Sequence, residues 1–307
     1  MNYEGSVAFI TGGANGAGFG QAQVFGRLGC RVFIIDIRAD ALAEAVTRLR
    51  GEGIEAHGAQ LNIMDREAYA RVADEVERVY GQPPQLLFNT AGVAAFGPAE
   101  ASTYEDFDWV LGVNLGGVVN GMVTFLPRMI KAGKGGHVVS TASLGAFQGL
   151  EAALAYCAAK AAVVSLMEGY RAALQKYGIG VSVLCPANIR SNIALSSDTR
   201  PAHLRRTGYL VNEETKKSLQ SIYRSGMDPV ALAEHVRAGI DANALYIIPY
   251  PEARTGLERH FSDITASIPP VESDPEGVKQ RIAALQEWAQ SEGSRAMFTR
   301  KGPDAPV

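Results

Sequence analysis

The sequence predicts an α/β fold, in which one doubly wound parallel sheet of seven strands carries helices on both faces. Two observations support this prediction. Short, continuous apolar runs alternate with longer segments of helical period along residues 1–250. The apolar runs also lack the polar–apolar alternation of a sheet with one solvated face, so both faces of each strand should be covered. Strands joined through helices are parallel, with right-handed crossovers.

The elements follow one another in a regular order. The first strand, VAFIT at 7–11, precedes a helix at 17–29. The second strand, CRVFIID at 30–36, precedes a helix at 39–53 that ends in glycines. The remaining strands are predicted at 55–62, 86–89, 137–141, 181–185 and 245–249. The remaining helices are predicted at 65–81, twice within 103–132, and at 152–177.

Two segments interrupt this alternation. Residues 191–227 are polar and mixed, and they lie between the sixth and seventh strands, where an open sheet carries a lid over its ligand crevice. We therefore predict a helical lid there. Residues 251–307 form a C-terminal extension, with apolar residues at helical spacing that predict a helix packed on the same domain: Val278, Ile282, Leu285 and Trp288. The final residues, 300–307, have the composition of a disordered tail.

Composition limits the class of partner and the compartment. The formal net charge is −3 over 307 residues and no long run has one sign, which argues against nucleic acid or an anionic membrane surface as a partner. No uninterrupted apolar stretch approaches the roughly 20 residues of a membrane span, and no signal peptide is visible. The three cysteines, Cys30, Cys157 and Cys185, show neither metal nor disulfide spacing. A cytoplasmic protein with no metal is expected.

A glycine-rich turn, TGGANGAGFG at 11–20, follows the first strand and opens a helix. Gly12, Gly16 and Gly18 would allow a tight turn whose backbone N–H groups face a pyrophosphate at the helix N-terminus. Asn15 and Ala17 belong to the same turn. The strand before the turn and the helix after it predict a Rossmann-type dinucleotide site, which makes residues 1–250 a dinucleotide-binding and catalytic domain.

The acidic residue that ends the second strand indicates which nucleotide binds. Asp36 lies 18 residues beyond Gly18, where a carboxylate accepts hydrogen bonds from ribose hydroxyls and repels a 2′-phosphate. Arg38 could instead accept that phosphate, but a carboxylate in contact with a phosphate is costly, so NAD is favoured over NADP. Further cofactor contacts are predicted where the third and fourth strands end, at Asn62, Ile63, Asn89, Ala91 and Gly92.

A tyrosine and a lysine lie one helical turn apart in AYCAAK, at 155–160. Both Tyr156 and Lys160 would project from one helix face. An ammonium about 5 Å from the phenol attracts the phenolate by roughly 3 kcal/mol at an effective dielectric of about 20, which is about two pKa units. A positively charged nicotinamide ring nearby would act in the same direction, so we expect Tyr156 to titrate near neutral pH and to act as a general base.

These motifs together resemble those of the short-chain dehydrogenase/reductase family. The matching stretches are TGGANGAG, NTAG at 89–92, Asn114 in VNLGGVVNG, Ser143 in STAS, YCAAK, and PANIRS at 186–191. Thr90 and Ala187 depart from the family's Asn and Gly. The resemblance implies that Tyr156 removes the hydroxyl proton and Ser143 holds the substrate oxygen. It also implies that Lys160 binds the nicotinamide ribose, that Asn114 holds a water, and that the carboxamide meets Ile189 and Ser191.

A narrower resemblance covers 64–77, 103–130, 166–183, 186–194 and 243–252, together with the C-terminal extension. These stretches look like those of the bacterial Cα-dehydrogenases of lignin β-aryl ether catabolism. The resemblance implies NAD-dependent oxidation of a benzylic Cα alcohol, of the guaiacylglycerol-β-guaiacyl ether type, to the ketone. A bulky aryl ether needs a largely apolar pocket, for which the candidate walls are Val93, Phe96, Leu144, Phe147, Leu150, Ile193 and residues of the 194–225 lid such as Tyr209.

Two alternatives remain open from the sequence. The first is a dehydrogenase on the same scaffold that acts on a steroid, a sugar or a smaller aryl carbinol. The second is a non-catalytic nucleotide-binding protein, although the intact Ser143, Tyr156 and Lys160 set argues against it. The family resemblance also implies a homodimer or homotetramer, formed through the helices at about 104–132 and 152–177.

Overall fold

The computed structural model of the chain describes residues 1–298. It contains one parallel sheet of seven strands in the order β3-β2-β1-β4-β5-β6-β7, which confirms the predicted doubly wound fold. The strands are β1 Val7–Thr11, β2 Arg31–Asp36, β3 Ala56–Gln60, β4 Leu86–Asn89, β5 Gly136–Thr141, β6 Ile179–Leu184 and β7 Tyr246–Ile247. The predicted boundaries hold to within two residues at each strand end, although β7 has two residues instead of five because only Val183 and Leu184 of β6 pair with it.

Eight helices accompany the sheet within the described residues. They are α1 Gly16–Arg27, α2 Ala39–Gly51, α3 Arg66–Tyr80, α4 Tyr104–Leu111, α5 Gly117–Ala132, α6 Leu154–Leu174, α7 Glu213–Arg224 and α8 Pro229–Asp241. A π-helical turn, Gly112–Gly116, joins α4 to α5. The sequence analysis did not predict α8, although Asp228 caps its first turn and Pro229 occupies the first helical position, which is a recognised start signal.

The core consists of two apolar layers, one on each face of the sheet. One layer joins the sheet to α3, α5 and α6, and there the rings of Phe9 and Phe125 lie 4.5 Å apart between centroids. The other layer joins it to α1, α2 and α8, and includes Phe25 and Phe88 at 4.8 Å. Burying each such ring contributes about 2 kcal/mol. Because helices cover both faces of the sheet, a ligand site is expected at the ends of its strands.

The segment Tyr104–Ala132 is long and apolar enough to span a membrane, with a mean hydropathy of 1.5. Polar residues such as Asn114 and Asn120 interrupt the stretch, so the sequence predicts no membrane span there. In the structure, 56% of its most apolar window is buried inside the protein, as is usual for a core helix, so the segment is weak evidence for a membrane span. It forms α4, the π-helical turn and α5.

The predicted lid is present between β6 and α8. It contains 3₁₀ turns at Ile193–Thr199 and Ala202–Leu204, followed by α7. Its two ends are joined, because the Met227 N–H donates to Asn188 O at 2.9 Å and the Arg190 N–H donates to Met227 O at 3.1 Å. This pairing fixes the base of the lid to the end of β6.

The chain divides into two compact units at Ala253. The second unit contains α9 Arg254–Ala266, α10 Pro275–Gln290 and α11 Glu292–Met297. The helix predicted from the spacing of Val278, Ile282, Leu285 and Trp288 is therefore present as α10. Its packing on the first unit stays a prediction, and the predicted tail at 300–307 lies outside the described residues.

Candidate active site

A cavity of about 490 Å³ lies at the carboxyl ends of the strands and brings together the glycine turn, Asp36, Ser143, Tyr156 and Lys160. Most of the predicted cofactor residues line it as well: Gly12, Asn15, Gly16, Ala17, Gly18, Arg38, Asn62, Ile63, Ala91, Gly92, Ile189 and Ser191. A larger depression of about 780 Å³ at the opposite edge of the sheet is lined by other residues, among them His137 and Arg171. The first cavity therefore contains the candidate site.

The glycine turn has the shape that a bound pyrophosphate requires. Gly12 and Gly16 have φ values of +66° and +51°, which residues with a Cβ rarely adopt. A Cβ on Gly16 would lie 2.7 Å from the Cβ of Ser191, and one on Gly18 would lie 2.3 Å from Gly12 O. The turn thus leaves an open backbone cradle at the N-terminus of α1, which fits a dinucleotide phosphate.

Asn15 connects the glycine turn to the lid. Its Oδ1 accepts a hydrogen bond from the backbone N–H of Asn192 at 2.9 Å. Asn192 begins the lid just after Ser191, which also lines the cavity. The turn and the first lid residues therefore enclose the same part of the crevice. The sequence places Asn15 in the turn but does not reveal this long-range contact.

Asp36 is buried where β2 ends, and its carboxylate is held in a fixed position. Oδ2 accepts from the Ala14 N–H at 3.4 Å, and Oδ1 accepts from the Arg38 N–H at 3.1 Å. The Arg38 Nε also lies 3.4 Å from Oδ1, so the guanidinium is paired with Asp36. A carboxylate in this position suits ribose hydroxyls and disfavours a 2′-phosphate.

Ser143, Tyr156 and Lys160 come from the end of β5 and the first two turns of α6. Ser143 Oγ accepts a hydrogen bond from the Gly145 N–H at 3.1 Å. Lys160 Nζ donates to Thr141 O at 2.7 Å and lies 5.6 Å from the centre of the Tyr156 ring. The three side chains line one wall of the cavity, as their spacing along the chain predicts.

Asn114 lies behind this wall, in the π-helical turn between α4 and α5. It is buried, its Oδ1 accepts from the Val93 N–H at 2.8 Å, and its Nδ2 donates to Val93 O at 2.9 Å. A Cβ added to Gly92 would lie 3.2 Å from Asn114 Oδ1 and 3.4 Å from Lys160 Nζ. Asn114 is therefore close to Lys160, and it also fixes the loop that follows β4.

Burial governs the titration of the Tyr156 and Lys160 pair. It raises the pKa of Tyr156 to about 12, although the hydrogen bond with Ser143 acts in the opposite direction. Burial also lowers the pKa of Lys160 to about 8. Within the protein alone, burial therefore outweighs the charge of Lys160, because taking both charges out of water is costly. The prediction that Tyr156 titrates near neutral pH also counts the positive charge of an oxidised nicotinamide, and it stays a prediction.

The predicted substrate walls divide into two groups. Val93, Phe96, Leu144, Leu150 and Ile193 line the cavity. Phe147 and Tyr209 lie outside it: Phe147 packs against the core layer, and the Tyr209 hydroxyl lies 2.7 Å from Ser102 Oγ, with its ring against Gly97. We therefore remove these two residues from the proposed contact set.

Asn89, predicted to contact the cofactor, also lies outside the cavity. Its Nδ2 donates to Ser140 Oγ at 3.1 Å, which ties β4 to β5 in the interior. Within the 194–225 lid, whose residues were predicted as walls, the structure places Leu195, Pro201 and Tyr223 at the cavity. It adds Trp109, which carried no sequence signal, because helical spacing alone does not show which face of α4 meets the crevice.

Comparison with known proteins agrees with this geometry. The family model for short chain dehydrogenases matches residues 6–201. A C alpha-dehydrogenase of Sphingobium sp. strain SYK-6 is 60% identical over 287 residues, which cover 94% of this chain and 94% of that protein.

Solved structures give the same result. The apo form of LigD from Sphingobium sp. strain SYK-6 superposes with a TM-score of 0.75 at 53% identity, covering 87% of this chain and 99% of LigD. A short chain dehydrogenase/reductase from Burkholderia phymatum, in complex with NAD, superposes with a TM-score of 0.82 at 32% identity, covering 88% of this chain and 98% of that one. The parallel sheet, the glycine cradle and the serine, tyrosine and lysine wall are thus those of an oxidoreductase, and the chain belongs to the short-chain dehydrogenase family.

Proposed function

We propose that this enzyme oxidises the benzylic Cα alcohol of a lignin-derived β-aryl ether, of the guaiacylglycerol-β-guaiacyl ether type, to the ketone with NAD⁺. The observation that carries this proposal is the 60% identity to a C alpha-dehydrogenase over 94% of the chain. That alignment extends well beyond the 6–201 segment shared with the family as a whole. It therefore includes most of the lid, where substrate specificity is expected to reside.

The walls of the cavity are compatible with a substrate of this kind. The cavity that contains Tyr156 has a set of apolar and aromatic side chains among its walls: Val93, Phe96, Trp109, Leu144, Leu150, Ile193, Leu195 and Tyr223. Aromatic rings on the substrate could pack against Trp109 and Tyr223 in offset or edge-on contacts. A sugar, whose hydroxyl groups each need a partner, would lose hydrogen bonds against such a wall.

NAD⁺, held by the glycine cradle and Asp36, would supply the acceptor for the hydride that leaves the carbinol carbon. Tyr156 receives the hydroxyl proton on its phenolate oxygen, and the Ser143 hydroxyl donates to the substrate oxygen and holds it in position. Lys160, one turn along α6, keeps a positive charge on the same wall, and its Nζ is oriented by Thr141 O. Asp36 at the end of β2 would select NAD by accepting hydrogen bonds from the ribose hydroxyls.

Arg38 does not reverse this preference for NAD, because its guanidinium is already paired with Asp36.

Further proposals concern the whole protein. We infer a homodimer or homotetramer from the family resemblance, and a cytoplasmic location from the three cysteines, whose spacing shows no disulfide framework. Residues 251–307 would pack on the catalytic domain as an extension.

A panel of alcohols tests the proposed function. The purified enzyme is incubated with NAD⁺ and, separately, with guaiacylglycerol-β-guaiacyl ether, 1-phenylethanol, a steroid alcohol and a sugar alcohol, and NADH formation is followed by absorbance. The expected result is the largest kcat/KM for the aryl ether, with the Cα ketone identified by mass spectrometry. A larger kcat/KM for any other alcohol would reject the assigned substrate, although the alcohol dehydrogenase activity would stand.

A further inference from the structure

An ion pair that is shut off from solvent joins the lid to α4. Arg200 Nη1 donates to Asp106 Oδ1 at 2.6 Å, and the two side chains are 7% and 0% exposed. Asp106 Oδ2 accepts two further hydrogen bonds, from the backbone N–H and the hydroxyl of Thr103, both at 2.9 Å. Burial raises the pKa of Asp106, but the hydrogen bonds from Arg200 and Thr103 outweigh it and hold that pKa below its usual range. The pair is therefore charged at neutral pH.

The rest of the Arg200 guanidinium organises the lid segment that follows it. Nη2 donates to Arg206 O at 2.9 Å, and Nε donates to Leu204 O. The Thr103 hydroxyl also lies 3.0 Å from Arg206 O. Residues 200–206 are thus folded around one buried cation and tied to the first turn of α4. Each of the three nitrogen atoms of the guanidinium donates to a group within this cluster.

The same guanidinium lies over an aromatic ring that forms part of the wall of the active-site cavity. Arg200 Cζ is 5.0 Å from the centre of the Trp109 ring. Trp109 is only 2% exposed and lines the cavity that contains Tyr156. Trp109 also belongs to a small apolar cluster with Leu204, against which Val93 and Tyr156 pack. Arg200 therefore fixes both the ring and the lid segment beside it.

The later part of the lid is attached quite differently. Every residue of α7 is described, and none of them is buried. An ion pair from Lys216 to Asp198, at 2.6 Å, holds α7 to the earlier lid, but the Asp198 side chain is half exposed. Exposed pairs of this kind contribute little to stability. The cluster around Arg200 is by contrast a buried attachment of the lid to α4.

We propose that Arg200 and Asp106 are positioning residues for substrate, which hold Trp109 and residues 193–206 as a fixed wall against which an aryl ring of the substrate packs. A buried ion pair is poor evidence of a gain in stability, because apolar replacements of similar volume are often as stable or more so. Arg200 instead fixes the geometry of the wall, because its guanidinium donates hydrogen bonds to several groups and also lies over the Trp109 ring. The aryl-ring part of this inference rests on the proposed function.

Two variants test the proposal. In Arg200→Lys a positive charge remains beside Asp106, but the planar guanidinium over Trp109 and its several N–H donors are lost. In Arg200→Met/Asp106→Leu the ion pair is replaced by apolar volume, so a purely stabilising role would be compensated. Arg128→Met is the matched control, since Arg128 pairs with Asp74 at 2.7 Å between α5 and α3, away from the cavity. Kinetic constants are measured with guaiacylglycerol-β-guaiacyl ether and with 1-phenylethanol, together with the Kd for NAD⁺.

Both variants are expected to raise the KM for the aryl ether by about tenfold, because displacement of a wall residue weakens contacts made by the larger substrate. The KM for 1-phenylethanol and the Kd for NAD⁺ should stay within about twofold of the wild-type values. The control variant should match the wild type throughout. An unchanged KM for the aryl ether in Arg200→Lys would overturn the proposal, and this variant decides the question if the double variant does not fold.

A second readout does not depend on the assigned substrate. The chain has two tryptophans, so Trp288→Phe leaves Trp109 as the only indole. In that background, acrylamide should quench Trp109 fluorescence at least about twice as strongly in the Arg200 variants, because the ring is no longer held. If the wild type does not oxidise the aryl ether, the proposed function fails while this measurement still decides the positioning role. Equal quenching in all variants would contradict it.

Discussion

Tyr156 and Lys160 lie one turn apart on a buried helix face. Burial favours the neutral form of each group, so it raises the pKa of Tyr156 and lowers the pKa of Lys160. Their spacing in AYCAAK predicts that the two groups share one wall of the crevice, and the structure confirms this arrangement. The direction of the Tyr156 shift could not be predicted in the same way. It depends on how completely α6 and the lid exclude water, which is a property of the assembled fold.

The pKa shift of Tyr156 predicts the pH dependence of alcohol oxidation. The proposed base acts in its deprotonated form, and burial raises its pKa to about 12, so the active fraction decreases as the pH falls below that value. A bound nicotinamide cation lowers this pKa but does not change the sign of the dependence. We expect kcat/KM to rise about tenfold per pH unit over the range in which Tyr156 is protonated. Initial rates of NADH formation between pH 6 and 10 measure it, and a flat profile would exclude Tyr156 as the base.

Removal of the Asp36 carboxylate is predicted to change the cofactor preference. Asp36→Ala should raise the KM for NAD⁺ roughly thirtyfold, because hydrogen bonds to a charged group contribute about 2 kcal/mol. It should also lower the KM for NADP⁺, since Arg38, now 3.4 Å from Asp36 Oδ1, would be free to meet a 2′-phosphate. Steady-state rates with each cofactor measure this, with the exposed acid Asp40 changed to Ala as the control. Unaltered KM values for both cofactors would argue against the assigned ribose contact.

Among the elements, the lid shows most clearly what a sequence can and cannot predict. Its location follows from the polar segment between the sixth and seventh strands, and its helical content is confirmed. Its attachments are not readable from the sequence, because Asn188 pairs with Met227 and Asp106 pairs with Arg200 across long separations. The same limitation explains why Tyr209 was assigned to the pocket, although its hydroxyl lies against Ser102.

The joined base of the lid predicts the effect of a single added methyl group. A Cβ on Gly226 would lie 2.6 Å from the carbonyl carbon of Ile189, so Gly226→Ala must displace the pairing between Asn188 and Met227. We expect a loss of about 2 kcal/mol in unfolding free energy, as for other overpacked sites, and a raised KM for the alcohol. Chemical denaturation and steady-state kinetics measure these two effects.

Gly256→Ala provides the control for this lid variant. Gly256 lies within α9, and its added Cβ would meet nothing within 4 Å. Because alanine favours helix more than glycine, this variant should be as stable as the wild type or about 1 kcal/mol more stable. If the two glycine variants behave alike, the base of the lid does not depend on close packing at Gly226.

For the whole molecule, the strand order and the position of the crevice follow from the alternation of apolar runs with helical segments. That pattern predicts seven parallel strands, and each is present. Because the strands are continuously apolar, both faces of the sheet must be buried, and the glycine turn marks the edge of the sheet at which the site forms. The helix α8 was missed because its start signal, an Asp followed by Pro, lies where the lid was predicted to end.

The stability of the whole protein should depend on a buried histidine at the opposite edge of the sheet. Burial lowers the pKa of His137 to about 4, and the charge of Arg171 acts in the same direction. Between pH 6.5 and pH 4 the unfolded chain binds a proton that the folded protein does not, so stability decreases as the pH falls through this window. The expected loss is about 3 kcal/mol at pH 4, since one pKa unit corresponds to about 1.4 kcal/mol.

The ring contact of His137 suggests the variant for this test. His137 Nε2 lies 2.8 Å from Ser182 Oγ, and that hydroxyl donates to Ala244 O, so the neutral ring donates to Ser182. His137→Gln retains a donor but does not titrate. Urea unfolding of both proteins from pH 4 to pH 7 should therefore show stabilities that diverge as the pH falls. Parallel curves would mean that His137 is protonated in the folded state as readily as in the unfolded chain.

The proposed oxidation of the Cα alcohol through Tyr156 is tested most directly by one comparison. NADH formation from NAD⁺ and guaiacylglycerol-β-guaiacyl ether is measured for the wild type and for Tyr156→Phe, and NAD⁺ binding to each is measured by titration. We predict steady turnover to the Cα ketone by the wild type, and a rate at least about 10³-fold lower for Tyr156→Phe, at the same NAD⁺ affinity within about twofold. Substantial turnover by Tyr156→Phe, or no turnover by the wild type, would contradict the proposed reaction.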